Sequence, residues 1–140
     1  MEFQKIKLHR SEKNRAAVKQ ITLDDDYNVP DYRQDIVKVI KERGELRFDE
    51  VKAMEGAAWI KGSLLFKVLY RSDKQEGKIS CLRGEIPFQE RLNMDGLSEY
   101  DAVHATGDME DLTIGVINSR KLNVRAVIVL TASSEKEVDE

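Results

Sequence analysis

At 140 residues, 41% of them apolar and 35% charged, the chain has material for one hydrophobic core and too little for two independent ones. Two prolines and eight glycines exclude a low-complexity chain, and a net charge of −3 lacks the basic excess of a typical nucleic-acid binder. One cysteine rules out an internal disulfide, no run approaches 18 apolar residues, and the polar start lacks a signal-peptide core, so a cytoplasmic protein without membrane insertion is expected.

Charge is unevenly spread. Residues 1–23 carry six basic side chains against Glu2 and Glu12, and residues 135–140 carry four acids against Lys136. A single domain over residues 1–134 with a disordered acidic tail at 135–140 follows from that distribution.

In chain order, Phe3–Leu8 and Ala16–Leu23 read as strands, the second with Ala17, Ile21 and Leu23 on one face and Lys19 interrupting it. Asp24-Asp25-Asp26 reads as a polar turn. Pro30 and Asp31 then open a predicted helix over residues 32–43: Asp31 and Gln34 have capping-box spacing, and Ile36, Val39 and Ile40 recur at helical intervals. Lys38, Lys41 and Arg43 suit the end of its dipole, and Gly44 would stop it.

Every later segment reads as strand. Leu46 and Phe48 alternate with Arg47 and Asp49. Trp59–Tyr70 is apolar on both faces, as a central strand would be. Ser72–Gly77 is a turn, and Ile79–Leu92 returns as the second arm of a long hairpin, with Pro87 requiring an edge or a bulge. Val103, Ala105 and Met109 continue irregularly toward Leu112, Ile114 and Val116. Asn118-Ser119 marks a hairpin. In the last strand Leu122, Val124, Ala126, Ile128 and Leu130 oppose Lys121, Asn123 and Arg125. The fold class expected is mostly β: an antiparallel two-layer sandwich of about seven strands with one helix at 32–43.

No catalytic constellation emerges. One cysteine and two distant histidines, His9 and His104, are a poor zinc set. Asp24–Asp26 with Asp31, and Asp108-Glu110-Asp111, offer oxygen ligands but not the spaced loop of a calcium site. Ser63, Ser80 and Ser119 lack a nucleophile elbow, Cys81 reads as a small core residue, and no phosphate-binding loop is present. Phe48, Trp59, Phe66 and Phe88 fall in apolar phases and read as core, which leaves no stacking platform for nucleic acid. Arg120, Lys121 and Arg125 form a small basic stretch at the last hairpin. They are the candidate partner-binding residues, with Arg120 also able to donate to turn carbonyls. No cofactor or metal is expected.

Four stretches in order carry a resemblance: Asp24–Asp31 (DDDYNVPD), Gly62 in a strand ending Val68–Ser72 (VLYRS), Gly84–Phe88 (GEIPF), and Asn118–Ala126 (NSRKLNVRA). Together, over residues 15–132, they resemble the SPOCS domain of spore-coat morphogenetic proteins of the SipL type in endospore-forming bacteria. The resemblance implies a non-enzymatic domain that scaffolds spore-envelope assembly on the mother-cell side of the forespore. Its partners would be other proteins, spore-coat morphogenetic proteins among them, with self-association through a strand edge as a further route. Proteins of that type also carry a LysM module that binds a coat-basement ATPase. No such segment is in this chain, so that binding is not carried over. The alternative is a carbohydrate or cell-wall binding sandwich, for which an outward-facing Trp59 would be the mark.

Overall fold

The computed structural model describes residues 13–72 and 78–136. Six long strands make up most of it: β1 (Lys13–Asn28), β2 (Lys38–Met54), β3 (Ala57–Arg71), β4 (Ile79–Asn93), β5 (His104–Asn118) and β6 (Lys121–Lys136). They form two antiparallel three-stranded sheets, β1-β6-β5 and β2-β3-β4, which face each other as a sandwich. The expected strand at Phe3–Leu8, the interior of the Ser72–Gly77 turn and the last four residues of the tail lie outside the described residues. Glu135 and Lys136, expected in that tail, belong to β6.

Alternation builds the core. On β6, Leu122, Val124, Ala126, Ile128, Leu130 and Ala132 are fully buried, and on β3 so are Ala58, Ile60, Leu64, Val68 and Tyr70. Each fully buried large aliphatic contributes about 1.5–3 kcal/mol, so these two central strands supply most of the driving force. As expected, β3 pairs with β2 on one side and β4 on the other, and Pro87 sits on the edge strand β4 opposite Ser63. The missing amide of Pro87 then costs no ladder bond on its open side.

The two seams where the sheets meet are closed by side chains. Along β1 and β4, Lys19 Nζ lies 2.9 Å from Glu90 Oε1, and the Tyr27 ring packs edge-on to Phe66 at 5.1 Å. Along β2 and β5, Met109 and Leu112 press against Gly44, while Leu46 and Phe48 press against Gly107. Gly62 answers the question its sequence raised: a Cβ there would land on the Arg47 carbonyl, where β2 bulges between Phe48 and Glu50. At Gly84 a Cβ would meet the Phe66 ring, which covers that glycine.

Four expectations are corrected. Six strands, not seven, are present among the described residues, and there is no helix among them. Residues 38–43 instead open β2, with Lys38 opposite Arg71. Ile36, Val37, Val39 and Ile40 are all β-branched and favour extended backbone. Their helix-like spacing comes from a bulge: Ile40 is the extra residue between the pairs Val39–Tyr70 and Lys41–Leu69. Pro30 and Asp31 make only a turn, in which the Arg33 amide donates to the Pro30 carbonyl at 2.9 Å. Gly44 lies inside β2 and stops nothing. Asp24–Asp26 are likewise not a turn, because β1 runs through them to Asn28. Finally, Trp59 and Cys81 are not core. Trp59 lies between fully buried Ala58 and Ile60, so it points to the opposite, outer face, where it is half-buried. Cys81 pairs with Leu69 on that same face and is also half-buried.

Candidate functional site

Arg120 is the most heavily engaged polar side chain at the end of the sandwich where the chain crosses between sheets. It sits in the two-residue turn between β5 and β6, and the Asn118 side chain accepts its backbone amide at 2.8 Å. Its guanidinium donates to the carbonyls of Pro30 (2.7 Å), Arg33 (2.7 Å) and Val29 (3.3 Å), and to Asp35 Oδ1 (3.0 Å). All four acceptors lie on the 29–37 connection from β1 to β2. Backbone bonds fasten the same segment: Val29 donates to the Arg120 carbonyl, Ile36 to Ser119 and Val37 to Arg71. The Tyr70 hydroxyl donates to the Gln34 carbonyl at 3.2 Å. The planar fork of arginine suits such a cluster of converging carbonyls. This is a clasp, and it takes Arg120 out of any free basic patch.

Lys121 and Arg125 point instead to the outer face of the β1-β6-β5 sheet. Arg125 lies opposite Asp24 on one side and Thr113 on the other. Around them the face is acidic. Asp24 and Asp26 both accept from the Asn123 side chain, at 2.8 and 3.0 Å. Asp108 and Asp111 lie across β6 from β1, and Glu110 reaches over β6 to accept from Gln20 at 3.3 Å. The predicted trio of Arg120, Lys121 and Arg125 is therefore divided between a clasp and an acidic sheet face.

The outer face of the other sheet has the opposite character. Residues directly opposite on neighbouring antiparallel strands share a face. By that register Arg43, Lys67 and Arg83 form one row across β2, β3 and β4, and Lys41 and then Lys38 with Arg71 follow toward the Arg120 end. These six cations occupy a patch about 10 Å by 14 Å, from strand spacing and rise. Like charges placed opposite one another are destabilising, so nothing in the fold itself explains the row. Among the described residues, none of the six takes part in an ion pair. An open concavity of about 870 Å³ has Arg43, Lys67 and Arg83 in its lining, with Glu45, Glu85 and Leu65 beside them.

Further along this face the charges are neutralised. Arg47 donates to Asp49 at 2.7 Å and to Glu85 at 2.6 Å, which raises its own pKa. The Ser63 hydroxyl and the Arg47 guanidinium hold the Glu85 carboxyl below the usual carboxylate range. Trp59 lies beyond, between Lys52 and Arg91.

Among the described residues, no three His, Cys, Asp or Glu side chains converge as metal ligands would. His104 is exposed opposite Ser133, and His9 lies outside the described residues. No helix among the described residues is long and apolar enough to cross a membrane.

Residues 35–117, more than half of the chain, match the family described as SipL, SPOCS domain. The chain belongs to the SPOCS domain family. That places it among spore-related proteins, in a family not known for enzymes. No curated protein matches the chain, and no solved structure does.

The matched part of the SPOCS domain contains all of the β2-β3-β4 sheet and β5. It is narrower than the 15–132 expected, since β1 and β6 fall outside it. Three of the four stretches that carried the resemblance nevertheless meet in space. Asp24–Asp31, Val68–Ser72 and Asn118–Ala126 all contribute to the Arg120 clasp or to the Asn123–Asp24–Asp26 bonds beside it. The fourth holds Gly84, under the Phe66 ring. The basic rows went unnoticed in the sequence because they draw on three strands that only the register aligns.

Proposed function

We propose that this SPOCS domain is a non-enzymatic interaction and scaffolding domain of spore-envelope assembly, acting in the mother-cell cytoplasm at the forespore surface. Family membership carries the reading. The surface supports it: among the described residues, two broad sheet faces bear charge of opposite sign.

The contact surface is a face and not a strand edge. Each outer strand carries a feature that opposes strand addition. The inward-phase Lys19 is on β1, Pro87 is on β4, and bulges interrupt β2 and β5. A partner therefore reads side chains.

The test is a pull-down with the whole chain from a lysate of sporulating cells, read by mass spectrometry. Two control proteins each reverse two cations of one face: Lys121→Glu/Arg125→Glu and Arg43→Glu/Arg83→Glu. Recovery of an identified spore-envelope protein, lost with one of the two, supports the reading and locates the face. Recovery of the same background proteins by all three overturns it.

A second reading has one observation in its favour. Trp59 faces outward, as a carbohydrate or cell-wall binding sandwich requires of a stacking aromatic. Saturable quenching of Trp59 fluorescence by soluble cell-wall glycan would support it; a flat titration would exclude it.

A further inference from the structure

The two outer faces are electrically complementary, and the complementary patches lie at the same end of the molecule. Lys38, Lys41 and Arg43 begin β2 directly after the 29–37 connection, and Arg71 ends β3 beside it. Asp24 and Asp26 end β1 directly before the same connection. A copy displaced along the normal to the sheets would bring its Asp24 and Asp26, on β1, over Arg83 and its Asp111, on β5, over Arg43 of the copy below, while Arg125 on the central β6, flanked by Asp24, stands over Lys67. No end-to-end inversion is needed.

We infer that the domain stacks on a second copy of itself, the basic face of the β2-β3-β4 sheet against the acidic face of the β1-β6-β5 sheet. It takes further the interaction reading above by naming the partner as this chain. The contact is heterologous: each copy uses one face and leaves the other open, so association continues past a dimer into a linear array. A two-fold dimer would set like faces together, and charge opposes that. Arg43 and Arg83 thereby gain anionic partners across the contact, beyond the Glu45 and Glu85 that stand beside them on their own sheet. The contact runs through side chains, which fits edges built to resist strand addition.

Sedimentation velocity of the whole chain over a concentration series tests this. At about 20 mM salt the mean mass of the wild type should rise past that of a dimer, and at about 0.5 M salt it should return to the monomer, because exposed charges are then screened. Arg43→Glu/Arg83→Glu sets acids against the acids of the facing copy at both contact points, and Asp24→Lys/Asp111→Lys sets cations against its cations. Each should stay monomeric alone, and an equimolar mixture should associate again. Arg43→Gln/Arg83→Gln, with no reversed charge, guards against a folding defect and should weaken association about tenfold. A wild type that stays monomeric at low salt, growth that stops at a dimer, or a mixture that fails to associate overturns the inference. A monomeric chain that still recovers an identified envelope protein in the pull-down overturns the stacking and leaves the interaction reading standing.

Discussion

Replacing Arg120 by alanine should be among the most damaging single changes outside the core. The side chain supplies every guanidinium contact to the 29–37 connection: three carbonyls and Asp35. A hydrogen bond with a charged partner contributes about 1.5–3 kcal/mol where water is excluded. Here the Arg120 and Asp35 side chains keep 36% and 39% of their surfaces exposed, so water can replace part of what is lost. Taking each contact at about a third of the sheltered value gives roughly 2–4 kcal/mol for the set. For a domain of this size that corresponds to a fall in Tm of roughly 8–16 °C. Scanning calorimetry and urea unfolding of wild type, Arg120→Ala and Arg120→Lys measure it. Lysine keeps the charge but not the planar fork, and should recover less than half of the loss. A loss under about 0.5 kcal/mol for alanine, or full recovery by lysine, would refute the clasp as an ordering device.

Three further outcomes are expected. Gly62→Ala drives a methyl into the Arg47 carbonyl and should cost about 2–3 kcal/mol in urea unfolding, whereas Gly115→Ala, with open space around it, should cost less than about 1 kcal/mol. Lys19→Val removes an exposed ion pair and the inward charge of an edge strand. Its Tm should move by no more than the equivalent of about 1 kcal/mol, while light scattering shows aggregation that the wild type lacks. Glu85 has a folded pKa below its unfolded value, so the stability it contributes is present above the usual carboxylate range and is lost as pH falls through the depressed value. Glu85→Gln should therefore melt below the wild type at neutral pH, and the two melting curves should converge as pH falls below that depressed value. A gap that stays constant with pH would mean Glu85 acts through packing alone.

The parts of the fold that could be read from sequence are those where one face is apolar and the other is not. β6 alternates cleanly over its length, and the β3–β4 hairpin, its central strand and the edge position of Pro87 all followed. The helix did not, because a one-residue bulge at Ile40 shifts a period-2 pattern into something close to period 3.6. Trp59 was misplaced because four apolar residues, Ala57, Trp59, Leu65 and Leu69, share the outer positions of β3 with Lys61, Ser63 and Lys67 and blur the contrast from which phase is read. For the candidate surface, only the capacity of Arg120 to donate to carbonyls was legible; the carbonyls it meets lie on the 29–37 connection, far away in the chain. The basic face depends on the exact registers of two hairpins, a bulge included, and the acidic face on the pairing of β1 with β6 from distant parts of the chain.

The pairing of β1 with β6 also shapes how the chain reaches this structure. Asn28 pairs with Lys121 and Lys13 with Lys136, the longest separations in the fold, whereas the β2–β3, β3–β4 and β5–β6 hairpins close locally. Such non-local pairing slows folding, to a timescale of about milliseconds to seconds in domains of this kind. On the ribosome, β1 is made first and completed last: at about 5–20 residues per second, it waits roughly 5–20 s for β6 to begin emerging. During that interval it is a long unpaired strand in a crowded cell. The lysine in the middle of its apolar phase, which in the finished sandwich pairs with Glu90 at the exposed seam, is then its protection against pairing with the wrong chain.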